Sequence, residues 1–101
     1  MKPVRIEEDA ERELAGSVDF YERRLAGLGI DFAQASQTAV QEIQTHPERC
    51  PLQKDGTRRH VMKRFPFTIR YMDLPEEIWI IAFAHTSRHP NYWKPRLRLG
   101  S

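Results

Sequence analysis

Phe67-Thr68-Ile69-Arg70-Tyr71-Met72 and Ile78-Trp79-Ile80-Ile81-Ala82-Phe83-Ala84 decide the architecture of this chain. The first stretch alternates apolar and polar residues, the period-2 signature of a strand with one covered face. Phe67, Ile69 and Tyr71 point to a core, and Thr68, Arg70 and Met72 point away from it. The second stretch is apolar at every position, as expected of a strand covered on both faces. Leu74-Pro75-Glu76-Glu77 supplies the turn between them. Arg59-His60-Val61-Met62-Lys63-Arg64 reads as a third strand, reached through a turn at Phe65-Pro66. Together they predict an antiparallel meander.

Upstream of the meander the period changes. Val4-Arg5-Ile6 is a short strand, and Asp9 is placed to cap a helix with Glu11 and Glu13 near its positive end. Leu14, Val18, Tyr21, Leu25 and Leu28 recur at spacings of three and four, giving one apolar stripe on a helix of roughly 18 residues. Gly27 and Gly29 end it. Asp31 with Gln34 three residues later forms a capping-box pattern for a second helix, whose stripe is Phe32, Ala35, Ala39 and Ile43. His46-Pro47 stops that helix, because the residue before proline is pushed out of helical geometry. The short link predicts a helical hairpin too small to stand alone. The expected fold is α+β: an N-terminal strand and an α-helical hairpin packed on a small, mainly antiparallel twisted sheet, in the order β-α-α-β-β-β. Residues 1–101 read as a single domain.

The chain's 101 residues are 40% hydrophobic and 30% charged, the balance of a soluble globular domain rather than a disordered one. The N-terminus is charged and unlike a signal peptide, and no apolar run is long enough to span a membrane. Cys50 is the only cysteine, so no internal disulfide can form, and a lone thiol fits a reducing, cytoplasmic setting. The net charge of +2 hides a division. Residues 1–50 carry 6 basic and 10 acidic side chains, and residues 51–101 carry 10 basic and 4 acidic ones. That segregation fits either a polyanionic or acidic partner facing the second half or an acidic helical layer packed on a basic sheet.

Two basic constellations stand out. Arg58, Arg59, Lys63, Arg64 and Arg70 fall on or beside neighbouring strands, on a face the helices are expected to leave open. Interleaved there with aromatic residues, they either grip nucleic acid by phosphate contacts and stacking or form a solvated face that keeps strand edges from aggregating. Arg88-His89-Pro90-Asn91-Tyr92-Trp93-Lys94-Pro95-Arg96 follows the buried strand and mixes guanidinium and aromatic groups common at interfaces. Tyr92 and Trp93 serve either as such anchors or as a plug for the open end of the core. His85, His60 and His89 can lie near one another, but their spacing matches no metal motif. His85 is either a structural histidine or a general acid or base. No phosphate-binding glycine loop, paired strand-end carboxylates or serine-nucleophile motif is present, which argues against nucleotide hydrolysis, glycosidase and serine hydrolase chemistry. No cofactor is expected.

The run Val61-Met62-Lys63-Arg64-Phe65-Pro66-Phe67-Thr68-Ile69-Arg70-Tyr71, then Ile78 to Ala84, then His85-Thr86-Ser87-Arg88-His89-Pro90-Asn91-Tyr92-Trp93, resembles the RelE/ParE toxin superfamily of bacterial toxin–antitoxin systems. Its members have also been called plasmid stabilisation proteins. The likeness covers nearly the whole chain, takes in Tyr21, Leu25, Gly29 and Phe32 of the hairpin, and points most to the ParE-like branch. It implies a growth-arresting toxin neutralised by a cognate antitoxin, and two targets share this fold. ParE-like members inhibit DNA gyrase; RelE-like members cut messenger RNA on the ribosome. The resemblance puts Thr68 where RelE-like nucleases carry an arginine, and threonine cannot stabilise an anion as a guanidinium does. A nuclease here would have to use Lys63, Arg70, His85, Arg88 and Tyr92. The expected reading is a gyrase-poisoning toxin without catalytic residues, contacting its target through Arg58, Arg59, Lys63, Arg64, Arg70, Arg88, Tyr92, Trp93 and Arg96. The alternatives are a ribosome-dependent endoribonuclease and a non-toxic relative.

Overall fold

The computed structural model describes residues 1–100, with side chains through Arg98; Ser101 lies outside the described residues. Helix α1 spans Glu8–Arg24. Glu7, not Asp9, caps it, its side chain accepting the Glu8 N–H at 3.2 Å. Glu8, Asp9 and Glu11 stand in the first turn and Arg23 and Arg24 in the last, each sign complementing the helix dipole. Helix α2 spans Leu28–Thr45 and starts three residues before the expected cap at Asp31. The signal that beat the capping box lies on the other helix. Gly27 takes φ 90°, and the Glu22 carboxylate of α1 accepts the Gly27 and Gly29 N–H groups at 2.9 and 3.0 Å. A carboxylate from α1 thus serves amides at the start of α2, and Asp31 falls inside its first turn. Gly29 is required by proximity, since a Cβ there would meet the Val18 carbonyl oxygen at 2.6 Å. Leu25 leaves the predicted stripe and is 64% exposed, because α1 has already ended.

The sheet comprises β1 (Val4–Ile6), β2 (Arg58–Val61), β3 (Phe67–Asp73) and β4 (Ile78–His85), in spatial order β1-β4-β3-β2. β1 runs parallel to β4, and the other pairs are antiparallel. The α+β order and hairpin-on-sheet arrangement expected from the sequence are the ones found. The hairpin covers one sheet face, where Phe32, Phe65, Phe67, Ile69, Tyr71 and Ile80 are buried with Tyr21 against them. Phe32 packs on Phe67 and Phe65 with ring centroids 4.8 and 5.0 Å apart. β2 is shorter than predicted. Met62 closes the β2–β3 turn by donating its N–H to the Phe67 carbonyl at 3.0 Å, so Lys63 and Arg64 fall in the turn and not on a strand.

β4 carries a feature that its uniform apolarity concealed. Arg70 pairs with Ala82 but Tyr71 pairs with Ile80, leaving Ile81 as a bulge. The alternation changes phase there. Ile78 and Ile80 join the helical core before it, and Phe83 joins that core after it. Trp79, Ile81 and Ala82 join a second cluster on the opposite face, centred on Trp93. The sheet is therefore not open on that face throughout. The segment after β4, including a 3-10 helix at Lys94–Gly100, covers part of it. What remains uncovered is a cleft.

Candidate arginine cleft

Three strands and a loop build the cleft, whose volume is about 280 Å³. Its floor follows from register. Arg59 lies opposite Arg70 and Arg70 opposite Ala82; Thr68 lies opposite Ala84. Ala84 leaves space that a larger side chain would fill, while Ala82 is buried in the cluster around Trp93. His85, Arg88 and His89 form the rim, and Trp93 the wall toward the C-terminal segment. The rim is fixed by backbone bonds. The Thr86 N–H reaches the Pro66 carbonyl at 2.9 Å, and the Arg88 N–H reaches the His85 carbonyl at 3.0 Å. The Ser87 N–H donates to His85 Nδ1 at 3.0 Å, and the imidazole packs edge-on against Phe67 at 5.1 Å.

The cleft's charge is one-signed. The Arg70 guanidinium lies 4.8 Å from the Trp93 ring centroid. Burial, then the like charge of Arg59, lower its pKa against the opposing pull of Asp55, although an arginine stays charged. Arg88 stacks over Tyr92 at 3.8 Å. No carboxylate lines the cleft. Asp55 lies beyond Arg70 and Trp93, in a neighbouring depression with Lys94. Burial works to raise the Asp55 carboxyl, but bonds from the Thr57 hydroxyl and N–H, with Lys94 and Arg70 nearby, hold it below its ordinary value.

The other predicted contact residues lie elsewhere. Arg58 points to the helical side of the sheet and donates to the carbonyls of Cys50 at 2.6 Å and Glu48 at 3.3 Å. Lys63 and Arg64 border a separate groove of about 220 Å³ against α2, where Arg64 pairs with Asp31 at 3.1 Å. Trp93 is 1% exposed and donates its indole N–H to the Pro90 carbonyl at 3.0 Å, so it closes the core. The histidines divide as well. His60 lies on the helical side beside Cys50 and Glu42, where burial lowers its pKa. Among the described residues, no three His, Cys, Asp or Glu side chains are grouped to hold a metal ion.

Tyr92 and Arg96 serve a carboxylate that sequence reasoning did not single out as functional. Glu13 accepts the Tyr92 hydroxyl and both Arg96 terminal nitrogens, at 2.9 and 3.0 Å. Glu13 also accepts the Phe83 N–H at 3.1 Å, while Arg96 donates to the Ile81 carbonyl at 3.0 Å. β1 pairs with β4 only as far as Ile80. Beyond it, the Glu13–Arg96 pair takes over hydrogen bonding along the β4 edge as a missing strand would. Burial, then the bond to Glu13 and its charge, push the Tyr92 hydroxyl pKa up. For Arg96 burial pulls downward, but the Glu13 contacts prevail and raise its pKa. Nothing in the local sequence distinguishes Glu13 from the acidic residues around it.

A solved structure of the "Chromosomal ParDE TA system from P. aeruginosa" contains a chain that superposes on this one with a TM-score of 0.64. The two are 19% identical, and the match covers 84% of this chain and 96% of that one. The two chains share a fold. No family model and no curated protein matches the sequence. Among the described residues no helix is long and apolar enough to cross a membrane.

Proposed function

We propose that this protein is the toxin of a type II toxin–antitoxin pair that acts in the ParE-like manner, by binding and poisoning DNA gyrase. A cognate antitoxin neutralises it by covering the arginine cleft. The observation that carries this reading is the division of the residues a nuclease would need. Arg70, His85 and Arg88 line the cleft, but Lys63 borders the groove on α2, and the Tyr92 hydroxyl is held by Glu13. A tyrosine whose proton is bound more tightly than usual is a poor general base at neutral pH. Thr68 adds no positive charge where phosphate crowding would need one. A rigid, charged recess without an assembled acid–base pair suits binding better than bond cleavage. The fold shared with a chain of a ParDE system supports the same branch.

The test is a pair of assays on purified protein: gyrase supercoiling with trapping of the cleavage complex, and messenger RNA integrity on translating ribosomes. Gyrase inhibition with intact message is expected. Cut message with unaffected gyrase would replace the reading with a nuclease built around His85, Arg70 and Arg88. Inactivity in both assays, with harmless expression in growing cells, would mark a non-toxic relative.

A further inference from the structure

We infer that the arginine cleft is a carboxylate receptor, taking an aspartate or glutamate side chain from an acidic segment of a protein partner. The inference rests on the reading that this protein's partners are proteins, and it names the chemistry that joins them.

The first argument is an unbalanced charge. Arg59 and Arg70 are direct cross-strand neighbours, an arrangement in which like charges repel. Some arginines outside the cleft have anionic partners: Arg5 pairs with Glu77, Arg12 with Glu8 and Asp9, Arg64 with Asp31, and Arg96 with Glu13. Among the described residues no ion pair involves Arg59, Arg70 or Arg88. Three guanidinium groups thus line one small recess with no carboxylate in its lining. An anion entering between Arg59 and Arg70 would relieve their repulsion and meet planar donor forks, the geometry that suits a carboxylate.

The second argument separates a peptide from a nucleic acid, whose phosphates would also meet these charges. Single-stranded nucleic acid is held by stacking bases on open aromatic faces as well as by backbone charge. Of the aromatic side chains lining the cleft, only the small imidazole of His89 on the rim is exposed. Trp93 is 1% exposed with Arg70 over its ring, and the Tyr92 ring is approached by Arg88 at 3.8 Å and Arg96 at 5.2 Å. His85 already packs on Phe67. A recess of about 280 Å³ floored by Thr68 and Ala84 accepts one short acidic side chain, while arginines lie over the Trp93 and Tyr92 rings a base would need.

The experiment titrates the ¹⁵N-labelled protein at fixed salt with an end-capped tetraglutamate peptide and, separately, with tetrathymidylate. Backbone amides and arginine side-chain N–H signals report the site. The variants are Arg70→Lys and Arg59→Lys, which keep the charge and lose the fork, with Arg23→Lys on α1 as control; spectral dispersion verifies folding of each. Saturable peptide binding centred on residues 59, 70 and 88 is expected, weakened roughly tenfold in either cleft variant and unchanged in the control. Tetrathymidylate should bind more weakly than the peptide. Absence of peptide binding, equal weakening in Arg23→Lys, or tighter binding of the oligonucleotide would each overturn the inference. Gyrase inhibition is scored on the same preparations. Inhibition that persists although the cleft ignores the peptide leaves the gyrase reading standing and removes this one; specific peptide binding without inhibition does the reverse.

Discussion

The arginine cleft and the Glu13 cluster draw their cations from the same basic half of the chain, yet those cations have opposite fates. Arg96 meets two carboxylates, Glu13 and Asp9, and its side chain is 14% exposed. Arg59, Arg70 and Arg88 meet none in their recess. Tyr92 marks the border, with Arg88 on its ring from the cleft side and Arg96 approaching from the cluster side. The acidic α1 supplies the distinction. It packs beside β4, so its carboxylates reach the residues that fold past that edge and do not reach the open face between β2 and β4. Of the two sequence readings of the charge asymmetry, internal complementarity describes the cluster, while the cleft retains the excess.

The comparison breaks most severely at Glu13. Replacing it with alanine leaves Arg96, the Tyr92 hydroxyl and the Phe83 N–H without their shared acceptor. By analogy with removing one partner of a buried ion pair, Glu13→Ala should cost about 3–5 kcal/mol, read as a lower urea midpoint. A loss below about 1 kcal/mol would place the cluster with ordinary surface pairs.

Tyr92→Phe is a smaller perturbation that keeps the ring and removes one bond to Glu13. A loss of about 1 kcal/mol is expected at neutral pH. The variant should also alter the alkaline limb of the stability curve. The folded protein binds the Tyr92 proton more tightly than the unfolded chain, whose tyrosine titrates near 10.0. That contribution is complete below this pH and is lost as pH rises beyond it toward the higher folded value. The wild type should therefore lose stability more steeply than Tyr92→Phe in alkaline solution. Identical slopes would mean that the hydroxyl is not held as described.

The smallest expected effect has the opposite sign. Arg59→Gln removes one of two facing like charges and should leave stability unchanged or raise it by at most about 1 kcal/mol. A clear loss would assign Arg59 a structural partner and dissolve the contrast between the two regions.

Particular residues explain how far the sequence could be read. Phe67, Ile69 and Tyr71 announced their face because alternation is a local property of a half-covered strand. The helical stripes of residues 14–21 and 32–43 were legible for the same reason. Asp31 misled because a capping box is only one way to satisfy amides at a helix start, and Glu22 on the neighbouring helix does so here. The Ile81 bulge left no trace because every residue around it is apolar, so a change of phase alters no pattern. The candidate site was half legible. The sequence named Arg59, Arg70 and Arg88, but the same composition also nominated Arg58, Lys63, Arg64 and Arg96, which lie elsewhere.

By itself, then, the sequence determined the element order, the core face of β3, the burial of β4 and the basic character of the second half, since each is written in local periodicity or composition. The tertiary structure alone decided which arginines are neutralised, that Tyr92 fastens the fold and Trp93 closes the core, and that a cleft remains over Thr68 and Ala84. Those outcomes depend on which acidic side chain lies within a few ångströms of each cation after folding. Glu13 and Arg96 are 83 residues apart in the chain and 2.9 Å apart in the protein, a proximity set by packing α1 against β4 and by no pattern in either segment.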